Sequence, residues 1–544
     1  MTRSLVTTVR NAQFFAKGSA VYLACIALTT ACGAKVLSVT TPDGGATAEG
    51  GICTSDMMPV SAAIRSATED CPADDQWLPS TPAVALVTPA PHPSSNCPFY
   101  QDAWQNFLIT TALDRATRET ALVAYPTIDD VFQSSKPHAP RNTAERAWLG
   151  NVKQPAFGGI LIDQNGRTLY YGIHVNQAFA DFAAAHGLTT LSGIQNADPM
   201  LTFPPGVVEL KTAWQEIDGP AGAADYITTS AWVSTLAQDP VTRVITEDKN
   251  HPRFAQLALL SVEVGFTLPG HPEFIWALFE HGNGCGRGDL VPTLPDNPNE
   301  YDNTNVLGVV SNRDFPLYGH GTPANQANQM FFETHLSLDP ATQSFPGKQT
   351  SIYRMFPASL SNSTSPDSAV TRLNANVAAL FERHRDGLDP EDMRMQYRLV
   401  GGTWMDKPSL FALNSDLQNN IGSPLLSNGS SDPYPRGNIR PDVSQADERA
   451  AVLSSGKTGA DDVVSNGPDS PFSIIGGQNR LSGAAMESFT QTRGAYPNCG
   501  MCHNTEGVNG NGAPYVDPSL AKILDAKLIN VSRVFARFVL DESY

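Results

Sequence analysis

Close to its C-terminal end the chain reads Cys499-Gly500-Met501-Cys502-His503. Two residues between the cysteines let one short helical turn present both sulfurs to the vinyl groups of a haem as thioethers, and the adjacent imidazole can then reach the iron. Cys499 and Cys502 are therefore the candidate attachment residues for one covalent haem c, with His503 the candidate proximal iron ligand. The flanking sequence lacks the βαβ pattern that usually carries a redox-active Cys-x-x-Cys. A zinc site would call for further ligands, and no Cys or His follows His503.

The far face of the iron poses a separate question. No Met follows the motif either, so a second axial ligand has to come from upstream, or the site stays open. Met501 lies inside the attachment turn, and Met486 belongs to the preceding segment, expected at the haem edge. Upstream candidates are His271, His281, His320, His335, His384, Met393, Met395 and Met405, with His281 the distal candidate singled out. His281-Gly282-Asn283-Gly284-Cys285 also has metal-ligand spacing, although lone His/Cys pairs are usually structural. Gly507 to Gly512 follows no predicted strand, which argues against a nucleotide loop and suits backbone passing close to the haem.

Thioether attachment belongs to compartments outside the cytoplasm, and the N-terminus agrees. Arg3, Arg10 and Lys17 precede an apolar stretch, Gly18 to Ala31, too short to span a bilayer comfortably, so residues 1–31 are expected to be a signal peptide. The stretch runs into Thr29-Thr30-Ala31-Cys32-Gly33, which resembles a lipoprotein cleavage site with Cys32 as the lipidated residue. Thr29 departs from that pattern, and ordinary cleavage nearby is the alternative. Any membrane attachment would be through that lipid, with the periplasm or outer membrane as the expected location. Cys53, Cys71, Cys97 and Cys285 remain, an even number that fits two disulfides in one of three connectivities. The formal net charge of −18 argues against nucleic acid as a partner and favours a basic redox partner protein.

At 544 residues the chain exceeds what one core usually serves, and its 43 glycines and 41 prolines point to many loops. The expected fold is α+β, a large mixed α/β body with a small α-helical c-type haem module. Residues 32–98 read as a flexible tether, 99–413 as the α+β body, 414–470 as a loop-rich linker and 471–544 as the haem module. Within the body, Asp163-Gln164-Asn165-Gly166 predicts a hairpin turn, and Ala178 to His186 a helix stopped by Gly187. Val207 to Trp214 alternates as a half-buried strand, while Leu257 to Phe266 and Phe274 to Phe279 suit a buried pair of strands around Pro269-Gly270. Ala369 to Arg385 predicts an amphipathic helix and Tyr397 to Val400 a closing strand. In the module, Leu481, Ala485 and Phe489 predict a helix before the motif, and Asp517-Pro518 a final helix carrying Leu520, Leu524, Leu528, Phe535 and Phe538.

Three stretches together resemble a group of bacterial secreted cytochrome c family proteins with a large uncharacterised body. They are Leu161 to Tyr171 with Val175-Asn176, Val208 to Trp214, and Phe274 to His281; Ala484 to Thr490 leading into Cys499 is similar too. The resemblance implies Cys499, Cys502 and His503 as haem ligands and points to His281. In that group a histidine is frequent where this chain has Glu263. The leading functional expectation is a haem-binding electron-transfer protein of the cell envelope. The alternatives are a haem-dependent oxidoreductase, peroxidase-like or passing electrons from a substrate to haem c, and a surface binding module with a structural haem.

Overall fold

The computed structural model describes residues 71–78, 96–114, 116, 119–132, 149–153, 159–219, 225–282, 290–292, 309–323, 330–354, 369–405, 426–427, 433–434, 475–477, 481, 483–488, 503, 505, 507–509 and 522–543. The expected signal peptide with Cys32, and most of the expected tether and linker, lie outside them. So do Cys53, Cys285, Cys499 and Cys502.

Pro98 starts the first long helix, α1 (Cys97–Thr110), whose Phe99, Tyr100, Ala103, Trp104, Phe107 and Leu108 are buried. A one-turn helix, α2 (Ile128–Val131), precedes strand β1 (Tyr170–Val175). The Asp163 to Gly166 turn forms as expected: Gly166 N–H donates to Asp163 O at 3.1 Å, and Gly166 takes a φ of 79° that a side chain would resist. Asn176 caps α3 (Gln177–Ala185), its Oδ1 accepting from Phe179 N at 3.0 Å. Gly187 ends that helix at φ 69°. There follow α4 (Leu191–Gln195), β2 (Val208–Glu216), β3 (Thr228–Gln238), β4 (Ile245–Leu268) and β5 (His271–His281). Next come α5 (Ala369–His384), β6 (Tyr397–Met405), and the short strands β7 (Leu426–Ser427), β8 (Pro433–Tyr434), β9 (Ile475–Gly477), β10 (Val508–Asn509) and β11 (Lys522–Leu524). The last element is helix α6 (Val534–Ser543).

The fold is thus mixed α+β around an antiparallel sheet of order β1-β2-β4-β5-β6-β9, with β3 added on β4. Sequence reading missed β3 and gave only the second half of β4. On one sheet face Leu210, Val262, Val264, Ala277 and Phe279 pack beneath Phe107, Leu373, Val377 and Leu380 of α1 and α5. That side is fastened by a Cys71–Cys97 disulfide, which supplies one pair of the predicted framework.

The opposite face meets the C-terminal residues. Strand β2 is buried over most of its length rather than half-buried, because both faces of the sheet are covered. Residues 471–544, expected as an appended module, share two hydrophobic clusters with the body. One joins Phe179, Phe203, Phe274 and Trp276 to Leu524, Leu528, Phe535 and Phe538. The other joins Tyr171, Ala213 and Leu278 to Leu481, Ala484, Ala485 and Met486.

Two predicted helices there are corrected. Residues 484–487 form bends, because Ala484 N–H donates to Glu280 Oε1 at 2.8 Å and Ala485 O accepts from Tyr171 Oη at 3.1 Å, which commits those backbone groups to the body. Leu524 lies in β11 and Leu528 in a 3-10 turn, Leu528–Val531, leaving only α6 of the final helix. Lys527 N donates to Thr505 O and Leu528 N to Pro199 O, at 3.0 and 2.9 Å, so tertiary partners replace helical ones.

A candidate haem-ligand site on the covered sheet face

Register decides which side chains share the covered face. Glu209, Gly265, Trp276 and Thr403 are direct neighbours across β2, β4, β5 and β6, and Lys211, Glu263, Leu278 and Gly401 form the next such row. Charged residues in the middle of strands buried on both sides have to find partners within the protein.

Lys211 finds two. Its Nζ lies 3.2 Å from Glu263 Oε2 and in contact with Glu487 Oε1. Glu487 reaches it from the C-terminal segment, held in a left-handed turn at φ 54° directly after the Ala484 and Ala485 anchors. Burial opposes the charge on Lys211, and the two carboxylates more than reverse it, holding the ammonium above the ordinary lysine range. Burial and then the like charge of Glu487 raise Glu263 above the usual carboxylate range. Burial also opposes ionisation of Glu487, but the attraction of Lys211 carries it below that range. The cluster therefore sets one ammonium against two carboxylates, with Glu487 biased towards its ionised form and Glu263 towards its protonated form.

His503 is placed beside this cluster. Its ring lies on Trp276, with centroids 3.8 Å apart, and its Nδ1 is 2.9 Å from Val531 O. That carbonyl can only accept, so Nδ1 carries the proton and Nε2 carries the lone pair. Loss of hydration pushes the imidazole down to about 4, against the pull of Glu487, so the ring is neutral across the physiological range. A neutral imidazole whose tautomer is fixed by a backbone carbonyl is the form that ligates iron. The turn carrying Val531 is itself fixed to β2, where Ser532 Oγ donates to Glu209 Oε2 at 2.6 Å. Burial pushes Glu209 up to about 7, with the Ser532 bond and Lys211 working against it.

No family model, curated protein or solved structure matches this chain.

Of the residues proposed from sequence, His503 is thus placed on a built surface, while Cys499 and Cys502 lie outside the described residues. His281 is not brought to it. It lies five residues beyond Trp276 on β5, roughly 17 Å along a strand, and alternation turns it to the other face. Its Nε2 lies 2.8 Å from Asp225 O and its ring stacks on Tyr226 at 3.7 Å. Among the other upstream candidates, His271 pairs with Glu273 and packs on Phe99, His320 pairs with Asp314, and His384 with Asp75. Met393 and Met395 pack against the cluster on the α1 and α5 side.

Sequence reading passed over Lys211, Glu487, Trp276 and Glu209 as site residues. A signal was present: Val-Glu-Leu-Lys-Thr-Ala-Trp and Ser-Val-Glu-Val-Gly-Phe each set a charge at an alternate position inside an apolar strand. Only strand pairing shows that Lys211 and Glu263 face each other.

Proposed function

We propose that this chain is a c-type cytochrome, a haem-binding electron-transfer protein of the cell envelope. Cys499 and Cys502 would hold the porphyrin by thioethers and His503 would bind its iron. The observation that carries this reading is the His503 imidazole, held in one tautomer by Val531 O, kept neutral by burial and seated on Trp276. When bound, haem c supplies a one-electron couple. The chain's own part is to orient the ligand, exclude water from the sheet side and set the local charge through Lys211, Glu263 and Glu487. The acidic composition, at a net charge of −18, suits encounter with a basic redox partner.

A second reading, a haem-dependent oxidoreductase, is favoured by one observation. The charged groups described next to His503 belong to a buried cluster of two carboxylates on one ammonium, in which Glu263 is biased towards its protonated form, a group fit to exchange protons with a small substrate. The full chain, produced in a host with cytochrome c maturation, should yield a haem that survives denaturing electrophoresis and is lost in both Cys499→Ser and Cys502→Ser. A colourless product with both sulfurs free removes either reading. Ready binding of carbon monoxide to the reduced protein would favour the second, and an unchanged reduced spectrum the first.

A further inference from the structure

Trp276 sits in a slot made for it. Gly265, its neighbour across β4 and β5, has no side chain, and a Cβ there would come within 2.6 Å of the Trp276 ring. The indole therefore lies against the bare β4 backbone with one part of its surface and carries His503 with another. Phe274 stacks beside it at 5.4 Å. In this packed setting, at 3% exposure, the indole Nε1–H has no acceptor among the described residues. Thr505 Oγ1, two residues beyond His503 and fully buried, is likewise unpaired among them. A buried donor left unmatched is costly, and a bound group or water that completes it removes that cost.

We infer that Trp276 is a carboxylate-anchoring residue: its indole N–H donates to a propionate of the haem carried at His503. This rests on the haem reading, under which the propionates are the strong hydrogen-bond acceptors at the porphyrin edge. Trp276 then has two roles on two parts of one ring, packing the imidazole through the π face and fixing the porphyrin edge through the N–H.

The test compares the full mature protein with Trp276→Phe, which keeps an aromatic platform and removes the donor. Phe at this position should retain covalent haem while the midpoint potential falls, because an unbonded carboxylate holds more negative charge near the iron and favours its ferric state. The propionate bending band in the resonance Raman spectrum should move in the same variant. In the unsubstituted protein that band should shift between H2O and D2O, a measurement that stands even if the variant fails to fold. Haem-loaded protein with no H2O/D2O shift, or a variant with unaltered potential and band, overturns the anchoring role while leaving the cytochrome reading intact. Protein that never acquires haem overturns both.

Discussion

Single residues on the covered face carry opposing tendencies that only proximity resolves. Glu209 accepts from Ser532 and is nevertheless pushed up to about 7, so the folded state holds its proton over a range where the unfolded chain has released it. Folded protein binds more protons than unfolded protein between the ordinary glutamate value and about 7, so this group's favourable contribution is complete at low pH and fades as pH rises through that window. Glu209→Gln should therefore flatten the pH dependence of stability there and raise stability at pH 8 by up to about 3 kcal/mol. Urea unfolding at a low and a high pH measures this; an equal or lower midpoint for the variant at pH 8 would refute it. Lys211, with two carboxylates around it, shows the opposite outcome of burial: its charge is reinforced. Neither tendency was legible in the residue alone, since both depend on which strand lies alongside.

At the scale of elements, agreement between local pattern and structure follows how much of an element's bonding is internal. Helix α5 keeps its predicted stripe of Val370, Leu373, Val377, Leu380 and Phe381, and α3 stops at Gly187 as read, because their hydrogen bonds close within the segment. The turn at Pro269-Gly270 formed as read, with Gly270 at φ 86°. The segments near Ala484 and Leu528 did not become helices, because their backbone groups are bound by Glu280, Tyr171, Pro199 and Thr505. The 71–78 segment is held to the α1 and α5 side by Cys71–Cys97, by Asn376 Nδ2 donating to Cys71 O at 2.8 Å, and by Arg383 on Asp75. Cys71→Ser opens a link spanning 26 residues of sequence. It should cost about 2–4 kcal/mol of stability in denaturant titration, with helix content near native by circular dichroism. A variant as stable as the parent would show that the segment is held by packing alone.

For the molecule as a whole, the C-terminal residues complete the body. Trp276 and Leu278 are covered by Leu528, Phe535, Leu481 and Met486, and the buried ion pair of Arg354 with Glu280 continues to Ala484 N. A chain ending before β9 would expose that apolar face and leave Lys211 with one carboxylate fewer. Deleting residues 475–544 should send the protein to the insoluble fraction, with strong binding of a hydrophobic dye by any part that stays soluble. Recovery of a soluble body with a cooperative unfolding transition would show that the two parts fold independently. No helix among the described residues is long and apolar enough to cross a membrane.

The amino-acid sequence alone determined the chemistry-bearing pentapeptide, the helices with internal stripes and caps, the tight turns and the mixed α+β class, because each is written in residues a few positions apart. Tertiary structure alone decided that Glu263 faces Lys211, that Glu487 closes on them, that Gly265 makes room for Trp276 beneath His503, and that His281 points away. Those facts depend on strand order and register, which join residues separated by tens to hundreds of positions and are fixed only when the whole sheet and its covering layer pack together.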